Sequence, residues 1–173
     1  MTTIRPATPA DAAAITWAHV EGWRTTYRGI VPDEYLDGLS VEQRRTVWER
    51  RLAHPDPGHV TFVAEDESGR VFGFADGGHN RDAETAERYA GELLALYLLP
   101  ETRRQGAGAR LFRAVAGALA ANGMPGMLVW VLAENPSRAF YERMGGHFVR
   151  EAPITIGGAA LVEVAYGWDV LTP

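Results

Sequence analysis

LLALYLLPETRRQGAGARLFRAVAGAL, Leu93 to Leu119, is the stretch from which the fold can be read. It opens with a Leu- and Tyr-rich run long enough for a buried strand. Pro100 ends that run, because it has no backbone N–H to give to a sheet ladder. Arg103-Arg104-Gln105-Gly106-Ala107-Gly108 follows, and directly after it comes a helical pattern. Leu111, Val115 and Leu119 fall at i, i+4 and i+8, with Phe112 and Ala118 widening the stripe. Strand, glycine turn and helix together present free backbone N–H groups to an anion at a helix N-terminus. The two glycines permit positive φ and let a ligand approach the backbone with no Cβ in the way. The segment reads as a phosphate cradle; the plainer reading is a glycine-rich turn that caps an ordinary helix.

The Walker pattern needs Lys and then Ser or Thr after the second glycine, and Ala109-Arg110 stand there. The dinucleotide pattern needs a third glycine where Leu111 stands. What fits is Arg103-x-x-Gly106-x-Gly108 after the strand Glu92-Leu93-x-x-Leu96-Tyr97-x-x-Pro100. This string resembles the acetyl-CoA pyrophosphate loop of the GNAT superfamily of N-acetyltransferases. By that resemblance Arg103, Arg104, Gln105, Gly106, Ala107, Gly108, Ala109 and Arg110 hold the cofactor's phosphates. The backbone around Leu96, Tyr97 and Leu98 pairs with its pantetheine amides.

Composition sets the outer bounds. The 173 residues suit one domain spanning 1–173, and 46% hydrophobic with 23% charged residues is the balance of a soluble globular protein. No run of eighteen apolar residues offers a membrane span. The opening MTTIRPATPADAAA lacks the basic-then-apolar order of a signal peptide, so a cytoplasmic location is expected. Zero cysteines exclude disulfides, Cys-ligated metal and a cysteine acyl-enzyme. A net charge of −5 argues against nucleic acid as a partner. Arg103, Arg104 and Arg110 nevertheless cluster at the glycine loop, either as counter-charge for a polyphosphate or as solvated helix-start arginines. His54, His59, His79 and His147 show no metal spacing, and Ser40, Ser68 and Ser137 lie in no nucleophile elbow.

Taken in order, Thr3–Pro6 starts extended and Pro9-Ala10-Asp11 opens a helix carrying Ile15, Trp17, Val20 and Trp23. Thr25–Pro32 reads as a loop, and a short helix begins at Pro32-Asp33-Glu34. Ser40 with Gln43 three residues on forms a capping box for a helix from Val41 to about Ala53, with Val47, Trp48 and Leu52 on one face. His59–Ala64 and Val71–Phe74 read as a hairpin and Gly77–Glu87 as a loop. Met127–Leu132 is a buried strand. Asn135-Pro136 starts a short helix through Tyr141 to Met144, and Phe148–Ile156 and Ala160–Val170 flank Gly157-Gly158 as a second hairpin. This order predicts an α+β mixed sheet, because the middle βαβ unit requires a parallel pair. The GNAT resemblance covers nearly the whole chain. It implies an α/β fold with about seven mostly antiparallel strands, a central parallel pair that splays to admit the pantetheine arm, and about four flanking helices.

Amine acetylation sets its own demands. A lysine-like amine of pKa ~10.4 must lose its proton, the thioester carbonyl must be polarised, and the departing thiolate gains from a proton donor. Glu92 begins the central strand, where alternation puts it on the face of Leu94, Leu96 and Leu98. It reads as the general base, direct or through water, and the resemblance gives that role to a matching Glu; equally it reads as a strand-end carboxylate paired with a nearby Arg. Asn135-Pro136-Ser137-Arg138-Ala139-Phe140-Tyr141-Glu142-Arg143-Met144-Gly145 resembles the GNAT segment that sets a Tyr beside the CoA sulfur. Tyr141 is then the general acid, or an aromatic packed on the C-terminal hairpin with Phe140. Asn135 matches a cofactor-contacting residue and also suits a helix N-cap. Trp23, Tyr27 and Arg28 fall in the region that covers the acceptor side in that family, although Trp17 and Trp23 also read as core. The expected enzyme is an acetyl-CoA-dependent N-acetyltransferase that needs no metal. It would act on a primary amine of a small molecule by direct attack, since no covalent nucleophile is evident. The alternatives are acetylation of a protein N-terminus or lysine, and a non-catalytic acyl-CoA sensor. Many members of the family dimerise, so a homodimer is plausible.

Overall fold

In the computed structural model, which describes residues 2–171, strand β4 (Gly91–Leu98) lies in the middle of a seven-stranded sheet. The strands before it are β1 (Thr3–Pro6), β2 (Val60–Glu65) and β3 (Val71–His79). Those after it are β5 (Met127–Leu132), β6 (His147–Ile156) and β7 (Ala159–Trp168). The order across the sheet is β1-β2-β3-β4-β5-β7-β6, and β4–β5 is its parallel pair. Among the described residues, five α-helices cover the sheet: α1 (Ala12–Thr26), α2 (Asp33–Asp37), α3 (Val41–Ala53), α4 (Ala107–Ala121) and α5 (Arg138–Arg143). Helix α4 is the crossover that a parallel pair requires, and it buries Leu111, Phe112, Val115 and Leu119 against one face. Helices α1 and α3 cover the other face, where Ile15, Trp48 and Phe74 are buried.

Strand β3 runs five residues past the predicted end at Phe74. Asp76-Gly77-Gly78 looks loop-like by composition, yet Asp76 and Gly77 each have a packing reason to be there. A Cβ on Gly77 would sit 2.5 Å from Val115 Cγ1, so only glycine lets α4 approach. The buried Asp76 carboxylate is satisfied by Arg51 at 2.9 Å, His59 at 2.7 Å and Thr61 at 2.7 Å. Helix α1 continues to Thr26, through the start of the predicted loop. Trp17, expected in the core, is 51% exposed, and Val47 also faces outward while Trp48 is buried. The first helical turn is 3-10 over Pro9–Asp11, closed by Thr8 and Asp11 as a capping box. There the Arg5 side chain, bonded to Asp11 at 2.8 and 2.9 Å, holds that carboxyl down to about 2.

Candidate active site

Strands β4 and β5 stay together for only two residue pairs, Gly91↔Met127 and Glu92↔Leu128. Beyond them the strands part, leaving a cavity of about 610 Å³. Its walls are Leu93–Leu98 of β4, Val129–Val131 of β5, the loop before α4, and Asn135 to Arg143 around α5. Backbone edges of two neighbouring strands thus face each other unpaired, which suits an extended ligand with its own amide groups.

One end of the gap is built for anions. Gly106 caps α4 with φ +85°, and Arg104 takes the second left-handed position at φ +63°. Gly108 does not need positive φ; it lies inside the helix, where a Cβ would point toward Leu98 and Phe140 at 3.5 and 3.7 Å. Among the described residues, no acceptor serves the N–H groups of Ala107, Gly108 and Ala109. The three predicted arginines separate. Arg104 lines the cavity without a carboxylate partner among the described residues. Arg103 lines it too, but its guanidinium bonds Leu98 O at 3.2 Å and the Thr25 and Thr26 hydroxyls at 3.1 and 3.3 Å, fastening the loop to α1. Arg110 turns away to Thr2 O at 2.6 Å. Gln105 and Ala107 do not line the cavity, whereas Gly106, Gly108 and Ala109 do. Arg143, which no motif marked, supplies a further cation to the wall. This cradle fits a CoA diphosphate.

The other end is aromatic. Tyr141 is 7% exposed, and burial, reinforced by the Tyr27 phenol, pushes its hydroxyl well up. Its ring packs on Phe140 at 5.2 Å and Trp168 at 6.5 Å, the packing against the C-terminal hairpin that was one of its two readings. Its hydroxyl has no hydrogen bond among the described residues. Beside it, Tyr27 meets the Tyr97 hydroxyl at 3.4 Å and accepts from Asn135 Nδ2 at 3.4 Å. Asn135 Oδ1 accepts from Ser137 N at 2.8 Å, a side-chain turn that delays α5 to Arg138 and displaces the expected N-cap at Asn135.

Tyr97 rests on His19, a residue the sequence did not flag. The two rings stack at 5.2 Å, and His19 Nδ1 accepts from Trp48 Nε1 at 3.2 Å. Burial, with Arg44 adding to it, pushes His19 down to about 3. Folding therefore requires neutral His19, while the unfolded chain binds its proton below about 6.5. Between those values the unfolded state carries one more proton, so stability is full above 6.5 and falls with pH by about 1.4 kcal/mol per unit. His19→Gln, which keeps an acceptor for Trp48, is expected to flatten urea-unfolding free energies between pH 6 and 4 by that one-proton slope; an unchanged slope would refute the assignment.

Glu92 sits elsewhere than alternation predicts. The β3–β4 register passes from Gly77↔Leu93 to Asp76↔Ala95, leaving Leu94 as a bulge. The extra residue puts Glu92 on the α1 face with Ala95 and Tyr97, while Leu93, Leu96 and Leu98 point to α4. Glu92 is 2% exposed, and Arg81 holds it through its side chain at 2.6 and 3.1 Å and its backbone N–H at 3.0 Å. Glu92 is not in the cavity lining. Arg81 lies in the stretch read as a loop, so no sequence signal marked it.

Of the acceptor-side candidates, Tyr27 lines the cavity and Trp23 packs on it at 4.8 Å. Arg28 is committed to Asp33 and Asp37 at 3.1 and 2.8 Å, which fixes α2 rather than a ligand. Over that side, α2 meets the last hairpin: Leu36 packs with Ile154, Ile156 and Leu161, and a Cβ on Gly157 would lie 2.7 Å from Tyr35.

Comparisons with known proteins agree with this geometry. The family model described as FR47-like protein matches residues 71–152, from β3 into β6. The chain is 41% identical over 172 residues to the uncharacterized N-acetyltransferase YuaI of Bacillus subtilis (strain 168), spanning 99% of this chain and 95% of that protein. Among solved structures, YncA from Salmonella typhimurium with its cofactor acetyl-CoA superposes with a TM-score of 0.72 at 20% identity, covering 98% of this chain and 94% of that one. The GNAT superfamily phosphinothricin acetyltransferase from Sinorhizobium meliloti in complex with acetyl-CoA gives 0.73 at 25% identity, covering 98% and 88%.

Proposed function

We propose that this chain, which belongs to the GNAT superfamily of N-acetyltransferases, acetylates the primary amine of a small molecule by direct attack on acetyl-CoA within a ternary complex. That it is an acetyl-CoA-dependent N-acetyltransferase follows from the family; the acceptor class and the residue roles are our reading. The observation that carries the acceptor class is the closure above the aromatic end, where Tyr35 of α2 abuts the Gly157 turn and Leu36 packs on β6 and β7. A groove for a protein substrate would run open between these two elements. A roofed, aromatic space suits a compact amine.

Acetyl-CoA, the cosubstrate, supplies an activated acetyl thioester. The N–H groups of Ala107, Gly108 and Ala109, with Arg104 and Arg143, are placed to hold its diphosphate. Leu96, Tyr97 and Leu98 offer backbone groups along the gap. Tyr141 donates a hydrogen bond to the sulfur as the thiolate departs, and the Tyr27–Tyr97–Asn135 cluster fixes the wall beside it. Glu92, locked by Arg81 and outside the cavity, takes the amine's proton through water rather than directly.

The test is calorimetric titration with acetyl-CoA, followed by thiol-release assays with simple primary amines and with a lysine-bearing peptide. We expect micromolar binding of acetyl-CoA, and kcat/KM for the best small amine at least about tenfold above the peptide, a difference of about 1.4 kcal/mol. Equal or better turnover of the peptide would transfer the reading to protein acetylation. Tight binding without turnover of any amine would leave the acyl-CoA sensor.

A further inference from the structure

Glu163 is a half-buried carboxylate on the middle of β7. The register places it opposite Leu132 of β5 and Ala152 of β6, with Leu161 and Ala165 two residues to either side on its own strand. All of these share the α1 face, the face onto which Glu92 and Trp130 also project. Leu132 packs with Tyr27, Val31 and Leu36, so Glu163 stands one strand spacing, about 4.8 Å, from a residue that touches the aromatic end of the cavity. Among the described residues it forms no hydrogen bond and no ion pair. A half-buried, uncompensated carboxylate costs stability, so an unfilled interaction is to be expected there.

The surrounding charges point the same way. Arg81 is taken by Glu92, and Arg150, which leans over Trp130 at 5.9 Å, is taken by Glu84 and Asp82. Four carboxylates against two guanidiniums leave this part of the face net negative, and Arg81 reaches Glu163 only through space while bonded to Glu92. Burial and the nearby Glu92, against Arg81, hold its carboxyl above the usual range, as expected of a group awaiting a cation.

We propose that Glu163 receives the ammonium group of the acceptor before transfer, which makes the acceptor a cationic amine. This rests on the small-molecule reading above. Glu163 is then a specificity residue: it holds the charged amine one strand away from Leu132, while proton removal and attack occur nearer Tyr141.

The test compares benzylamine, a cation at neutral pH, with aniline, which is uncharged there. In the acetyl-CoA-saturated enzyme, Glu163→Gln is expected to raise KM for benzylamine about tenfold with kcat within about twofold, leaving KM for aniline unmoved. Equal shifts for the two amines, or none, would overturn the proposal. Direct titration of benzylammonium into the CoA-saturated protein gives a reading independent of turnover: weaker binding to the variant supports the proposal, and equal or absent binding by the wild type overturns it. If benzylammonium binding depends on Glu163 while neither amine is acetylated, the docking site stands and the small-amine reading of turnover falls.

Discussion

Replacing Tyr141 with Phe should lower kcat on the order of 10²-fold while leaving the acetyl-CoA dissociation constant within about twofold. The magnitude follows from comparing two effects. A buried phenol raised above its ordinary pKa of ~10 would transfer its proton to a thiolate of pKa ~8.5 only uphill, by about 2 kcal/mol or more. Donation of a charge-assisted hydrogen bond to the growing negative charge on sulfur costs nothing of that kind and is worth about 1.5–3 kcal/mol. The effect therefore belongs at the low end of general-acid contributions. Phe keeps the contacts with Phe140 and Trp168, and the lost hydroxyl leaves no orphaned partner among the described residues, so the fold should not change. Stopped-flow thiol release beside calorimetry checks both halves. Unchanged turnover would remove Tyr141 from the chemistry, and a parallel loss of cofactor affinity would make it a packing residue of the cavity wall.

The parts of the fold that were legible in the sequence are those whose signal is local. Pro100 stops β4, the i, i+4, i+8 stripe of Leu111, Val115 and Leu119 builds α4, and Ser40 caps α3 by accepting from Gln43 N at 3.2 Å. What was not legible depends on partners far away in the chain. Asp76-Gly77-Gly78 belongs to a strand because α4 approaches it and because Arg51, His59 and Thr61 answer Asp76. The bulge at Leu94 exists only in the pairing with β3, yet it turns Glu92 to the opposite face and changes what that carboxylate can reach. Arg81 and His19 escaped notice for the same reason, since each gains its meaning from one contact, with Glu92 or with Tyr97. The glycine turn before α4 was legible because its geometry lies within six residues; even there, the second left-handed position fell to Arg104 rather than to a glycine.

Gly106 holds the other left-handed position of this turn. Its φ of +85° costs a residue with a Cβ about 1–2 kcal/mol, and a β-branched side chain more. Nothing lies within 4 Å of where that Cβ would be, so the Cβ itself meets no neighbour and the penalty of Gly106→Val is argued from backbone conformation. The loop can relieve it by rotating to negative φ, and this turns the N–H groups of Ala107, Gly108 and Ala109 away from a shared focus. Losing two such charge-assisted bonds, at about 1.5–3 kcal/mol each, predicts acetyl-CoA binding weakened at least about 100-fold. Global stability should change much less, because α4 is held by Leu111, Val115 and Leu119 and not by its first turn. Gly106→Asn separates conformation from mere substitution: asparagine tolerates the left-handed region and caps helices, so it should retain most of the affinity. If valine and asparagine bind acetyl-CoA equally well, the loop does not hold the phosphates through its backbone, and the arginines at the mouth of the gap must carry the anion alone.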